Sequence, residues 1–294
     1  MIITGKKFSK PEMSRVINGD VVLPEAPEVE EKTRLDLLLV ERFPDYNRSS
    51  LQTFIKSGFV TVDGKVIQKP NEKISQDAHL ELSVPKKTKP KDFIEPEVIF
   101  EDENVLVLNK PAGLLSMAKG EYCPEPTLED YGLLVHRLDR DTSGVVILAK
   151  NPKTQSSLRK QFQDRKTHKT YLAVVEGTPK LPEAKIDLPI ARNLKRPTTF
   201  RVDPNGKQSI TFYKTLKSNG KYTLLELKPV TGRTHQLRVH LSYLGCPILG
   251  DEVYGSRNSR LFLHASSLEI TIPTGDRRIF SSKTPSEFEK VFKD

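Results

Sequence analysis

The sequence predicts an α+β protein, a mixed or antiparallel sheet carrying few helices, preceded by a small αβ domain. Three observations carry this reading. In the C-terminal two thirds, strand-like runs outnumber helical patterns and do not alternate with them, which argues against a doubly wound parallel sheet. Residues 34–83 run helix, helix, hairpin, strand. Between these regions, residues 84–96 interleave lysines with prolines, a composition that stays extended and marks a domain boundary.

Taken in order, residues 1–33 mix Pro, Glu and isolated apolar residues without a sustained period, and read as a poorly ordered arm with no assigned role. Thr33 is placed to cap RLDLLLVERF, in which Leu35, Leu38, Leu39 and Phe43 share a helical face. Ser49-Ser50 are expected to open a second helix that ends at Gly58, and FVTVDGKVI reads as a hairpin turning at Asp63-Gly64. HLELSV supplies the last strand of this module. The large domain, 97–294, starts with PEVIF and NVLVLNKPAGLL on either side of the acidic turn Glu101-Asp102-Glu103. Further strands are expected at GVVILAK, TYLAVVEG, ITFYKTL, YTLLELKPV and LFLHASSLEI, and helices at KTQSSLRKQF and THQLRVHLSYL.

Composition narrows the function. Hydrophobic residues make up 36% of the 294 positions, with no apolar run of bilayer length, so no membrane anchor is expected. The N-terminal segment lacks the roughly 7–15-residue apolar core of a secretory signal, which points to the cytoplasm. Cys123 and Cys246 stand far apart, and the six histidines show no HxxxH or HExxH spacing. No disulfide framework, metal or cofactor is therefore expected. The net charge of +9 favours a polyanionic partner, and the excess lies in the linker and the large domain, since residues 34–83 are neutral overall.

The chemistry concentrates in VHRLDRDTSGVVILAKN, residues 135–151. His136, Arg137, Asp139, Arg140, Asp141, Thr142 and Ser143 crowd before an apolar strand. A buried sheet cannot absorb these groups unpaired, because breaking a buried ion pair costs about 3–5 kcal/mol. The stretch is either a loop delivering side chains to a site or a solvated turn held by local Asp and Ser hydrogen bonds.

Two resemblances bear on that choice. Residues 34–83, with Arg48-Ser-Ser-Leu, Gly58 and VxVDGKV, resemble the S-four RNA-binding domain. That likeness implies that Arg34, Arg48, Ser50, Gln52, Lys56 and Lys65 lie near RNA phosphates. Residues 95–273 resemble the RluA family of pseudouridine synthases through HRLD at 136–139 and TSG at 142–144. NKPAGLL, KTYLAVVEG, GRTHQLRVHL and LFLHASSLEI follow in the family's order. The combined architecture resembles members that modify large-subunit ribosomal RNA, and it implies an RNA partner and a monomer.

Carried over residue by residue, the family resemblance implies that Asp139 acts at ribose C1′, so that uracil detaches, rotates and rejoins through C5. A neighbouring cation would favour its charged form, and Arg233, beside a helix capped by Thr234, is the expected one. Tyr171 is implied to stack on the target base and is the candidate for removing the C5 proton, a task for which a phenol with a pKa of about 10 needs activation. Arg137 is implied to fill the space left when the uridine swings out of a stacked helix or to pair with displaced bases, the structural alternative being a salt bridge to Asp141. Leu138 and Leu263 would wall the uracil pocket, joined by Thr142, while His136 would bind substrate or satisfy backbone groups. The short segment between Gly113 and His136 and the loosely matching C-terminus depart from the family pattern. The alternatives are a transfer-RNA pseudouridine synthase and a noncatalytic RNA-binding assembly factor. A glycosidase using Asp139 and Asp141 is disfavoured by the absence of tryptophan and of an aromatic sugar platform.

Overall fold

The computed structural model describes residues 16–17, 20–21, 32–85, 89, 92–118 and 123–293. The chain divides into two compact units, Met1–Val84 and Pro85–Asp294. Most of the arm expected at 1–33, and five of the thirteen residues of the Lys/Pro linker at 84–96, lie outside the described residues.

In the first unit, β1 (Val16–Ile17) pairs with β2 (Asp20–Val21), and β3 (Lys32–Arg34) leads directly into α1 (Leu35–Arg42). Thr33 is therefore a strand residue and does not cap the helix; Arg34 holds the cap position without a side-chain capping bond. Leu35, Leu38 and Leu39 are buried as the periodicity requires. The second helix, α2 (Arg48–Lys56), opens one residue before Ser49, because Asn47 is the better acceptor and its side chain takes the Ser50 amide at 3.0 Å. It is followed by β4 (Val60–Val62), β5 (Lys65–Val66), β6 (Lys73–Ser75) and β7 (Leu80–Leu82). The β4–β5 turn falls at Asp63-Gly64, both at positive φ (50° and 77°), the backbone that a two-residue hairpin selects.

The second unit runs β8 (Glu97–Glu101), β9 (Val105–Lys110), β10 (Leu133–Leu134), β11 (Ser143–Ala149), α3 (Pro152–Gln163), β12 (His168–Glu176) and β13 (Glu183–Asp187). It continues with β14 (Ile190–Arg192), β15 (Phe200–Val202), β16 (Ile210–Ser218), β17 (Tyr222–Pro229) and α4 (Gln236–Tyr243). Last come β18 (Leu263–Thr271), β19 (Arg277–Ser281) and α5 (Glu287–Lys290). Among the described residues they build a ten-stranded sheet in the order β13-β16-β17-β12-β18-β11-β9-β8, with β10 on β11 and β19 on β18. Every pair in it is antiparallel except β11 with β18. The mixed α+β sheet expected from the strand-rich pattern is thus present.

Strand β11 is buried along its whole length, because both faces of the sheet are covered there. Val145 and Ile147 pack with Val105, Val107 and Leu158 of α3 on one face. On the other, Val146 and Leu148 meet Leu106, Leu108, Leu128 and Leu138. The parallel contact of β11 with β18 is short and tight, pairing Ser143 with His264 and Gly144 with Ala265. A Cβ on Gly144 would lie 2.2 Å from the Ala265 carbonyl oxygen, and its φ of 117° excludes other residues as well. Only glycine lets these strands meet, and their meeting brings the end of the 135–142 loop beside Leu263.

Candidate active site

The loop that precedes β11 is fixed from several directions before any ligand arrives. Leu138 is buried in the core, and its amide and carbonyl both bond the Ser116 hydroxyl, at 3.1 and 2.7 Å. The Lys110 ammonium, fully enclosed, donates to the carbonyls of Arg140 (2.7 Å), Leu114 (2.7 Å) and Pro111 (2.9 Å). Burial brings its pKa down to about 7 against the opposing pull of Asp141 and Asp139. The Thr142 amide closes a turn onto the Asp139 carbonyl at 3.1 Å. Held in this way, Asp139 projects into a cavity of about 500 Å³.

Two groups face the Asp139 carboxylate. Nη1 of Arg238 stands 3.4 Å from Oδ2, and Nε2 of His235 stands 3.9 Å from the same atom. Arg238 is nearly buried and gives the rest of its guanidinium to Asp251 as a fork, Nε and Nη2 each at 2.8 Å. Arg233, expected to be the cation beside Asp139, instead turns its Nε to the Gln208 carbonyl at 3.3 Å. The helix explains the difference. Thr234 does not cap α4; His235 takes that position at φ 56°, and the helix begins at Gln236. The Gln236 side chain accepts from the Arg233 amide (3.0 Å) and the Thr231 hydroxyl (2.7 Å). From this start, Arg238 lies on a buried helical face and Arg233 remains in the preceding loop.

The Tyr254 hydroxyl receives the Phe200 amide at 2.8 Å and sits 2.9 Å from Nδ1 of His235. Having accepted from the amide, the phenol can donate to Nδ1, which leaves the proton of a neutral His235 on Nε2, facing Asp139. Burial favours that neutral ring by lowering its pKa, although Asp139 pulls the other way.

Tyr171 on β12 and Leu263 at the start of β18 line the same cavity, as do Arg137, Leu138, Thr142 and His136. The Tyr171 phenol is pushed well above its usual range, first by burial and then by the Asp139 charge, so it stays protonated near neutrality. Its ring is a surface and its hydroxyl a donor. Arg137 is exposed and, among the described residues, forms no ion pair with Asp141 and reaches Met117 Sδ at 3.8 Å. His136 stacks on Phe162 with ring centroids 4.6 Å apart, and its Nε2 accepts the Ile147 amide at 3.2 Å. Burial lowers its pKa to about 3, so it is a neutral structural ring at the cavity edge.

In the first unit, the RNA-facing residues expected from the sequence divide into three groups. Asp36, fully buried, receives Arg34 (2.9 and 3.1 Å), Arg48 (3.1 and 2.8 Å) and Gln52 (2.6 Å). These three side chains are thus gathered about one carboxylate, and both guanidiniums keep an exposed side. Ser50 is buried on the inner face of α2 and is not part of an outward surface. Lys56 and Lys65 are exposed. Among the described residues no group of three His, Cys, Asp or Glu side chains is placed to hold a metal ion.

Arg238, Asp251, His235, Tyr254 and Lys169 are the site residues that the sequence reading passed over. Arg238 did carry a signal: an arginine flanked by Leu237 and Val239 must be paired if that stretch of helix is buried.

Comparisons with known proteins identify the family of the chain. The RNA pseudouridylate synthase family pattern matches residues 104–243, and the S4 domain pattern matches residues 33–80. An uncharacterized RNA pseudouridine synthase of Aquifex aeolicus is 36% identical, over 89% of this chain and 93% of the relative. The ribosomal large subunit pseudouridine synthase D of Borreliella burgdorferi is 36% identical over 88% of both chains. That of Haemophilus influenzae is 32% identical, over 88% of this chain and 90% of its own. Among solved structures, human RNA pseudouridylate synthase domain containing 1 aligns with a TM-score of 0.57 at 29% identity, over 65% of this chain and 84% of that one.

Proposed function

This chain belongs to the RNA pseudouridylate synthase family, RluA type, and is an RNA-modifying isomerase with an S4 domain; from that premise we propose that it modifies uridines of large-subunit ribosomal RNA through Asp139. The observation that carries the residue assignment is the position of the Asp139 carboxylate. Among the described residues it is the only acidic side chain lining the cavity, it faces Arg238 at 3.4 Å, and Tyr171 and Leu263 share its walls.

The isomerisation breaks N1–C1′ and forms C5–C1′, with a proton lost from C5 and one gained at N1, so the RNA leaves with no net change in atoms. A carboxylate suits the step at C1′, where positive character grows as uracil leaves. Arg238 and the Nε2–H of His235 aim that carboxylate, and Arg238 in turn is held by Asp251. The protonated Tyr171 ring offers a surface for the detached uracil while it turns, and Leu263 and Leu138 keep the space apolar. Arg137, exposed and without a carboxylate partner among the described residues, is suited to occupy the stack from which the uridine is drawn. The ribosomal substrate is supported by the names of the relatives that match along most of the chain. We place the enzyme in the cytoplasm, acting as a monomer.

The test is pseudouridine mapping of total RNA from cells with and without the gene, complemented by wild type, Asp139→Ala or Asp141→Ala. A site in large-subunit RNA should vanish without the gene. It should return with wild type and with Asp141→Ala, whose side chain is exposed, and not with Asp139→Ala. Loss of a transfer-RNA site alone would refute the ribosomal assignment. Full activity of Asp139→Ala would refute the residue assignment.

A further inference from the structure

Beyond Arg238, the cavity wall carries cationic side chains that form no ion pair among the described residues. Lys169 on β12 lies two residues before Tyr171 and on the same face, and both side chains line the cavity. Its ammonium is largely withdrawn from solvent, enough for burial alone to lower its pKa to about 8. Nevertheless, among the described residues it has no carboxylate or carbonyl partner. Arg165, in the α3–β12 turn, and Arg233 line the same cavity and likewise form no ion pair. Above Lys169 runs Gly232, where an added Cβ would lie 3.9 Å from Nζ. A glycine there leaves the ammonium uncovered on the cavity side.

A charge removed from water without a partner lowers stability, so it persists where a ligand supplies the counter-charge. The cavity is made for an RNA nucleotide, which brings one phosphate charge per residue and no other anion. Base carbonyls are neutral and would leave the charge uncompensated. We propose that Lys169, reached under Gly232 and flanked by Arg165 and Arg233, is the docking point for a backbone phosphodiester of the flipped-out target nucleotide. The inference rests on the RNA pseudouridine synthase reading above. It adds that one phosphate is gripped inside the cavity itself, a few ångströms from the stacking tyrosine's strand, and so sets how far the nucleotide enters. Lys169 is on this view a substrate-positioning residue that does not take part in bond exchange.

The experiment measures tritium release from large-subunit ribosomal RNA, transcribed in vitro and labelled at uracil C5, over a series of salt concentrations. The enzymes are wild type, Lys169→Gln, Lys169→Arg, Gly232→Ala and the exposed-lysine control Lys153→Gln. Lys169→Gln should raise KM about tenfold at low salt, the size of one charged hydrogen bond, with a smaller change in kcat. It should also make the slope of log KM against log salt shallower by about one. Lys169→Arg should restore both, Gly232→Ala should raise KM while leaving the salt slope, and Lys153→Gln should match wild type. A melt without RNA separates a structural role, since removing an unpaired, desolvated charge should hold or raise the melting temperature of Lys169→Gln. Unchanged KM and slope in Lys169→Gln would overturn the proposal. So would a fall in kcat with KM and slope unchanged, which would put the lysine in the base chemistry, or a clear loss of melting temperature. If wild type itself releases no tritium, the functional reading fails instead; filter binding of the same RNA by wild type and Lys169→Gln then still reads the phosphate contact through the salt slope.

Discussion

Arg238 gives Asp251 two bonds of 2.8 Å and gives Asp139 only its remaining nitrogen, at 3.4 Å. One buried cation thus serves two carboxylates, tightly clamped by Asp251 and loosely facing Asp139. The clamp fixes the guanidinium plane, while the longer contact leaves the Asp139 carboxylate the less constrained of the two, as the step proposed for it at a sugar carbon requires. Asp251→Asn should lower the melting temperature markedly, by the equivalent of about 3–5 kcal/mol, because it removes one side of a buried pair. Arg238→Lys keeps the charge without the fork and should cost about a hundredfold in kcat, a loss comparable to deleting one preorganised donor. Calorimetry and single-turnover tritium release measure the two effects. Wild-type kcat in Arg238→Lys would remove Arg238 from the mechanism.

Tyr171→Phe should retain at least about tenfold more activity than Tyr171→Ala, since stacking on a base contributes about 1–3 kcal/mol and the ring survives in phenylalanine. Because burial and the Asp139 charge both raise the phenol's pKa, no rate increase attributable to its ionisation should occur between pH 6 and 9. Equal inactivity of the two variants, or a basic limb that disappears in Tyr171→Phe, would show that the hydroxyl is essential.

Asp36 should make the first unit sensitive to acid. The bonds from Arg34, Arg48 and Gln52 hold its carboxyl far below the ordinary range. A group whose folded pKa is depressed contributes its stability above the unfolded value, about 3.9, and loses it as pH falls toward the folded value. Asp36→Asn should therefore be less stable than wild type by about 1–3 kcal/mol at pH 7, the range for a buried acceptor whose cationic partners are half exposed. The gap should narrow as pH drops below about 4. Circular-dichroism melts of both proteins from pH 7 to pH 2 test this, and a gap independent of pH would contradict it.

Lys56→Glu combined with Lys65→Glu should weaken binding to large-subunit ribosomal RNA about tenfold at low salt and make the salt slope shallower by about one to two. Both side chains are exposed, so folding should be unaffected. Filter binding at several salt concentrations, beside tritium release on a short hairpin, reads affinity and chemistry separately. An unchanged affinity would move RNA recognition off this face of the S4 domain.

Much of this protein is legible along the chain because it depends on local pattern. The DG turn at Asp63-Gly64, the apolar run 144–149 and the spacing of Leu35, Leu38 and Leu39 each state their own structure through backbone preference and periodicity. The polar crowding of residues 136–143 marks a loop with something to deliver, and Asp139 is indeed its carboxylate in the cavity. The helix starts were less legible. Asn47 displaced the expected Ser49 because its side chain meets the free Ser50 amide, whereas His235 displaced Thr234 through its left-handed backbone and makes no side-chain capping bond.

The sequence by itself determined the strand-rich α+β plan, the two-unit organisation and the loop that carries Asp139. Tertiary structure alone decided which cation meets that aspartate. Arg233 and Arg238 lie five positions apart and are chemically equivalent as sequence. The left-handed His235, locked by Tyr254, starts α4 one residue later than the cap pattern suggests and turns Arg238 inward. Asp251 then fixes its fork, and the contact closes across 99 residues of chain. Charge attraction between groups so distant in sequence follows from where the backbone places them, and no local pattern encodes that distance.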